Sequence, residues 1–217
     1  MIRSKVALIS SVVLLGICMF LFFPFPNNVL FQARSTFMSF PISNQDGYIL
    51  LGIIASVLFI MAIVLLAIGM KKYRLRSIVI VLIVYAFLPN ILITMYQETL
   101  ASGIKAISYD ANGTCNFEYV SEDFLNGECR LVLHNRSNKA VTFELEFLDS
   151  FFMEDELRME SLMNLAGPHQ MTIGANQKKS IYLKELLNVS DVLKHIHGGT
   201  SNGIHVKLID EESTRIF

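Results

Sequence analysis

Three long apolar runs occupy the first 96 residues, and none of them carries a charged side chain. They cover residues 6–25, 48–70 and 78–96. At 1.5 Å of rise per residue, about 20 residues cross the roughly 30 Å hydrocarbon core of a bilayer. A soluble helix of that length keeps a polar face. The pattern therefore predicts a membrane region, residues 1–96, with three transmembrane α-helices, followed by a domain outside the bilayer, residues 97–217. The first run also has the basic start of a signal peptide, Arg3 and Lys5. It outlasts the usual apolar core, lacks a small-residue cleavage site and stops at Pro24 and Pro26, so it is expected to stay as an anchor.

Charge placement fixes a topology. Lys and Arg collect on the cytoplasmic side of membrane spans. Arg3 and Lys5 precede the first run, and Lys71, Lys72, Arg74 and Arg76 fill the turn between the second and third. The 26–47 segment carries only Arg34 and Asp46. The N-terminus is therefore expected inside, with the 26–47 loop and the C-terminal domain extracytoplasmic in the cell membrane. Tyr48, Tyr73 and Tyr96 stand at run ends, where interfacial aromatics belong. The 26–47 loop is itself apolar, with Phe31, Phe37 and Phe40, so it either dips into lipid or ties the two halves of the protein together.

Within the runs, Ser10, Ser11 and Gly16 offer a small face, and Gly52 and Ser56 form a small-xxx-small pair that lets helices approach. Pro89 and Asn90 are the candidate kink and packing pair of the third run, because proline frees a carbonyl one turn earlier. The runs contain no ionisable acid, base or histidine of the kind that proton relays and coupled transporters use.

From Glu98 onward there are 11 Lys and Arg against 18 Asp and Glu, a net of −7 that the total of −1 conceals. Such a surface is a poor nucleic-acid platform. Its local pattern is that of strands. Residues 141–147, VTFELEF, alternate apolar and polar throughout, residues 129–134 and 203–209 do so over shorter stretches, and 117–120, 171–173 and 180–183 are further candidates. Residues 154–165 and 186–196 read as helical or irregular. Several short strands with frequent turns predict a mainly antiparallel β domain. In layout it resembles the immunoglobulin-like modules of bacterial envelope proteins, although their tryptophan is missing. The alternative is a two-layer α+β domain.

Cys115 and Cys129, 14 positions apart, are the structural disulfide candidate, worth about 3 kcal/mol on a chain-entropy argument. Cys18 lies in the first run. His195, His197, His205 and His169 could supply a zinc or copper site, but no acidic partner stands at diagnostic spacing, so no metal is expected. No nucleophile elbow, zincin motif or phosphate loop occurs, so neither a cofactor nor an enzymatic role is expected. Asn112, Asn135 and Asn188 head glycosylation triplets, without consequence in the bacterium that the compact chain suggests. The expected role is contact: an outer domain binding another membrane or envelope protein or a wall component, alone or as a subunit of a larger complex. A membrane sensor or regulator is the alternative.

Overall fold

The computed structural model describes residues 2–21, 35–37, 40–44, 47–149 and 157–217. They fall into two compact units, Met1–Ile93 and Thr94–Phe217. The first unit holds α1 (Lys5–Leu21), three short strands β1 (Ser35–Phe37), β2 (Phe40–Asn44) and β3 (Gly47–Tyr48), then α2 (Leu50–Gly69) and the start of α3 (Arg74–Thr99).

Two helices, α2 with 20 residues and α3 with 26, are long and apolar enough to cross a membrane. α1 is apolar but spans 17 residues; residues 22–25 of the expected first run lie outside the described residues. α3 starts before the apolar run does, because Arg and Leu are good helix formers. It takes Arg74 and Arg76 into its first turn, and the Arg74 Nε donates to the Met70 carbonyl at 2.7 Å.

α1 and α2 pack antiparallel along a seam of small residues. Gly52, Ala55, Phe59, Ala62, Leu66 and Gly69 are the buried positions of α2, spaced by alternating steps of three and four. That 3.5-residue period keeps one stripe facing a neighbouring helix. On α1, Ser11 Oγ donates to the Ala62 carbonyl at 2.7 Å, and Cys18 Sγ lies 3.8 Å from the Ala55 carbonyl. Gly69 sits so close to α1 that a Cβ there would lie 3.0 Å from the Leu8 nitrogen. The Arg3 N–H caps the end of α2 by donating to the Gly69 carbonyl at 2.7 Å. Arg3 and the Lys71–Lys72 turn therefore meet at one end of the helix pair, as a bridge between Ile2 and Met70 also shows.

Tyr85 of α3 donates its hydroxyl to the Leu15 carbonyl. Its ring stands 4.7 Å from that of Phe59 and 6.3 Å from that of Phe40. Phe40 is buried there, so this part of the 26–47 loop packs on the helices of its own unit; Phe31 lies outside the described residues. β1, β2 and β3 form a small antiparallel sheet that the sequence does not signal.

The second unit continues with a 3₁₀ turn (Gly103–Ala106), β4 (Ile107–Tyr109), β5 (Thr114–Ser121), β6 (Phe124–Asn135) and β7 (Val141–Leu148). A second 3₁₀ turn (Glu160–Ala166), β8 (His169–Ile173), β9 (Lys178–Asn188), β10 (Gly199–Asn202), β11 (His205–Ile209) and β12 (Thr214–Ile216) follow. Among the described residues all pairings between these strands are antiparallel. One sheet runs β10, β5, β6, with β4 beside the far end of β6 and β9 along its other side; the second runs β12, β11, β7, β8.

The inward residues of both sheets share one core, including Phe117, Leu125, Leu133, Phe143, Leu145, Ile181, Val206 and Leu208. The alternation read in 141–147 is the buried and exposed alternation of β7. Tyr109 stitches the sheets: its hydroxyl donates to the Ile204 carbonyl at 2.9 Å and accepts from the Gly113 N–H at 3.0 Å. Burial pushes its phenol up to about 12.

One expectation needs correction. Residues 186–196 are not helical at their start, because β9 continues through Leu186 to Asn188 before the chain turns. Leu186 and Leu187 are adjacent but point to opposite faces, one exposed and one buried, which hides the period. Residues 160–165 of the other irregular stretch form the second 3₁₀ turn, while 154–156 lie outside the described residues.

Candidate interaction surface

The outward face of the first sheet has its own chemistry. Along β9, Lys178, Ser180, Tyr182, Lys184, Leu186 and Asn188 all point out, while Ile181 and Leu187 point into the core. Arg130 of β6 stacks over the Tyr182 ring at 4.9 Å, and Lys184 pairs with Glu128. The hydrogen bond from Lys184 lowers the Glu128 pKa and raises that of Lys184. Both groups are solvated, so the pair orders the face more than it stabilises the fold. Beside it, Asn112, Thr114, Arg130, Ser180 and Tyr182 line a shallow groove of about 470 Å³.

Apolar side chains collect at the end of this sheet remote from the Gly103–Ala106 turn. Tyr119 and Val120 end β5, Phe124 begins β6, and Leu186 lies diagonal to Phe124 across the β6–β9 pairing. The Val189 N–H donates to the Asp123 carbonyl at 2.8 Å and brings the following turn, with Leu193, to the same end. Leu186 is 61% exposed and Leu193 89%. Phe124 and Leu186 share the outward face of the sheet, whereas Tyr119 stands opposite the buried Leu125 and so on the other face.

The opposite end is polar. An open trough of about 630 Å³ there is lined by residues that include Lys105, Glu144, Gln170, Asp210 and Glu212. Its Asp210 carboxylate is committed internally, accepting from the N–H groups of Ser213 at 2.7 Å, Glu212 at 3.0 Å and Ile104 at 3.3 Å. Burial alone would raise its pKa, but these bonds hold it below the ordinary value.

Cys115 and Cys129 form a disulfide between directly opposed residues of β5 and β6, with Cα atoms 4.1 Å apart. Both are fully buried in the core. Pro89 is buried within α3, and Asn90 beside it is exposed. The histidines go to separate tasks. His169 is buried, bonded through Nε2 to the Met163 carbonyl at 3.0 Å, and its ring meets that of Phe147 edge-on. His195 bonds the Val192 carbonyl at 2.8 Å, with the His197 ring 5.5 Å away, and His205 faces the Phe217 carbonyl. Among the described residues, no three His, Cys, Asp or Glu side chains converge as a metal site would require.

Two of the three Asn-led triplets have a structural explanation. Asn188 Oδ1 accepts from the Ser190 N–H and hydroxyl, and Asn135 Oδ1 accepts in the same way from Ser137. The Asn-x-Ser spacing is that of an Asx turn. Asn135 is fully buried, and sequence reading missed its central place. Buried Arg215 was missed as well; its Nη1 donates to the Ile104 carbonyl at 3.1 Å, the Lys105 carbonyl at 2.9 Å and the Ile107 carbonyl. Asp149 anchors the second 3₁₀ turn through the Met159 and Ser161 N–H groups, and Asn164 exchanges two 2.8 Å bonds with the backbone of Phe147.

No protein-family model, curated protein or solved structure matches this chain.

Proposed function

We propose that this is a three-span membrane protein of a bacterial cell envelope whose outer β domain works by contact and not by chemistry. The occupant of its contact surface is another membrane or envelope protein or a wall component. The single observation that carries this reading is the exposed pair Phe124 and Leu186, neighbours on the outward face of the sheet, with Tyr119, Val120 and Leu193 also exposed. Tethering supports it, because confinement to a membrane raises the effective concentration of neighbouring partners. A well-paired disulfide in the same domain suits an oxidising compartment.

The seam between α1 and α2 supports retention of the first apolar helix as a third span. The meeting of Arg3 with the basic turn supports placing both on the cytoplasmic side. In intact cells lacking Cys18 (Cys18→Ser), cysteine at Glu211 is expected to react with a membrane-impermeant thiol reagent, and cysteine at Lys72 only after lysis. Reaction at Lys72 alone would reverse the topology.

The contact reading is tested by purifying the full chain from gently solubilised membranes. A stoichiometric partner is expected with the natural sequence. It should be lost in the double variant Phe124→Ser, Leu186→Ser, whose disulfide should remain formed. The reading fails if nothing accompanies the natural chain, or if the double variant keeps its partner.

A further inference from the structure

β9 is an 11-residue strand that pairs with β6 along its whole length, and no strand pairs with its other side among the described residues. Antiparallel pairing alternates, so every second residue of β9 directs both its N–H and its carbonyl away from β6. The continuation of the ladder identifies which ones. The Val189 N–H donates to the Asp123 carbonyl and the Asn135 N–H to the Gln177 carbonyl, both in the β6–β9 register. Odd-numbered residues of β9 therefore bond β6, and Lys178, Ser180, Tyr182, Lys184 and Leu186 present free main-chain groups. A long strand edge of this kind templates addition of another strand.

We propose that this edge pairs with the same edge of a second copy of the chain, antiparallel, with Tyr182 opposite Tyr182. The side-chain row selects both the occupant and the register. In that register Lys179 stands opposite Glu185 of the second copy, and the reverse pair repeats across the two-fold axis. Ile181 stands opposite Leu183, again twice. Opposite charges and apolar pairs directly across an antiparallel ladder are mutually stabilising. Lys179, Leu183 and Glu185 are half-buried at the margin of the sandwich, within reach of a neighbouring strand. A slip of two residues would instead oppose Ile181 to Glu185 and Lys179 to Leu187; a slip of four would oppose Lys184 to itself. Lysines commonly guard free edges. Here Lys184 is neutralised by Glu128 on its own sheet; Lys179 donates its Nζ to the Thr172 carbonyl of its own chain at 2.9 Å but has no acidic partner among the described residues, and the second copy supplies one. An isologous contact needs such self-complementarity. The pairing shares Leu186 with the apolar group above but rests on main-chain groups and on Lys179 and Glu185, so the charge exchanges below test it separately from the partner reading.

The test is sedimentation of the full chain in a mild detergent, where both copies are free to adopt the two-fold arrangement. The natural chain is expected to dimerise with rising concentration. Ser180→Pro removes an outward N–H without touching a bond to β6, and should weaken the dimer by about tenfold or more through loss of two symmetric main-chain bonds. Lys179→Glu and Glu185→Lys should each weaken it by about tenfold. Combining the two exchanges restores the opposite-charge pairs and should restore the dimer. Because the combined variant must fold to be read, its rescue holds even if the proline variant does not fold. A monomer at every concentration, a dimer indifferent to the single charge reversals, or a combined variant no tighter than the single ones would overturn the proposal.

Discussion

Replacing Asn135 with alanine is expected to lower the stability of the β domain by about 3 kcal/mol, since several buried groups lose their partners together. The Asn135 Nδ2 donates to the carbonyls of Lys139 at 2.7 Å, Gly174 at 2.9 Å and Ile173 at 3.2 Å. Its Oδ1 holds the Ser137 N–H and hydroxyl at 3.0 and 2.8 Å. One amide thus joins the turn that leads from β6 to β7 with the turn that leads from β8 to β9, the two places where the chain changes sheets at this end. Alanine leaves the carbonyls buried without these donors, and no water-accessible route relieves a site that is fully buried. Aspartate is the sharper variant. It keeps the acceptor for Ser137 but turns a second carboxylate oxygen toward the carbonyls, so it should cost at least as much as alanine. Pulse proteolysis of the full chain across a urea series would measure both. At roughly 1.5 kcal/mol per molar urea for a domain this size, the midpoint should fall by about 2 M. A fall of less than about 0.3 M would show that the amide is not the hub it resembles.

Asn135 carries no local signal of this role. Asn135 sits in an NRSNK stretch whose polarity marks a turn, and the turn is there. Composition cannot tell a solvated turn asparagine from one whose amide is enclosed by a second turn 38 residues away. The elements that were legible carry their signal locally. The apolar runs gave α2 and α3, and the alternation of 141–147 gave β7. The spacing of Cys115 and Cys129 suited the opposed strands on which they lie.

The elements that were not legible are defined by partners. β10, GTSN, contains no large apolar residue and is a strand because it pairs with β5. β9 appeared shorter than it is because its exposed face carries a leucine. The helix seam was half visible. Gly52 and Ser56 read as a small pair, yet Ser56 turns its hydroxyl back to the Gly52 carbonyl of its own helix. The packing stripe instead runs Gly52, Ala55, Phe59, Ala62, Leu66, Gly69. The proposed contact role is legible in the sequence only as a class of function. Phe124 and Leu186 lie near the ends of two different strands, and no local pattern brings them together.

Arg215→Leu is expected to be the most damaging single change in the β domain, at about 3–5 kcal/mol, the range for removing one side of a buried charged network. Arg215 lies in β12, 5% exposed, with its guanidinium carbon 4.2 Å from the centre of the Phe217 ring. Burial lowers its pKa to about 10, still well above neutrality, so the group is charged in the folded protein. That charge is directed at the carbonyls of the Gly103–Ala106 turn and of Ile107, the negative end of a short helix. The other end of the same turn donates the Ile104 N–H to the carboxylate of Asp210, in the turn before β12. The turn after β11 and the start of β12 therefore clamp both ends of the segment through which the chain enters the β domain, more than a hundred residues earlier. Gln97 Nε2 adds bonds to the Lys105 carbonyl at 3.2 Å and the Ile107 carbonyl at 3.0 Å, so Gln97 shares acceptors with Arg215. Leucine fills part of the volume but supplies no donor, and lysine supplies a point charge that cannot spread over three carbonyls. Lysine should therefore recover only part of the loss. Hydrogen exchange on the full chain gives the discriminating readout. Amides of Ile107 to Tyr109 and of β12 should lose protection in Arg215→Leu, while the β7–β8 pairing keeps it. Uniform protection across the domain, or full recovery with lysine, would show that Arg215 only fills space.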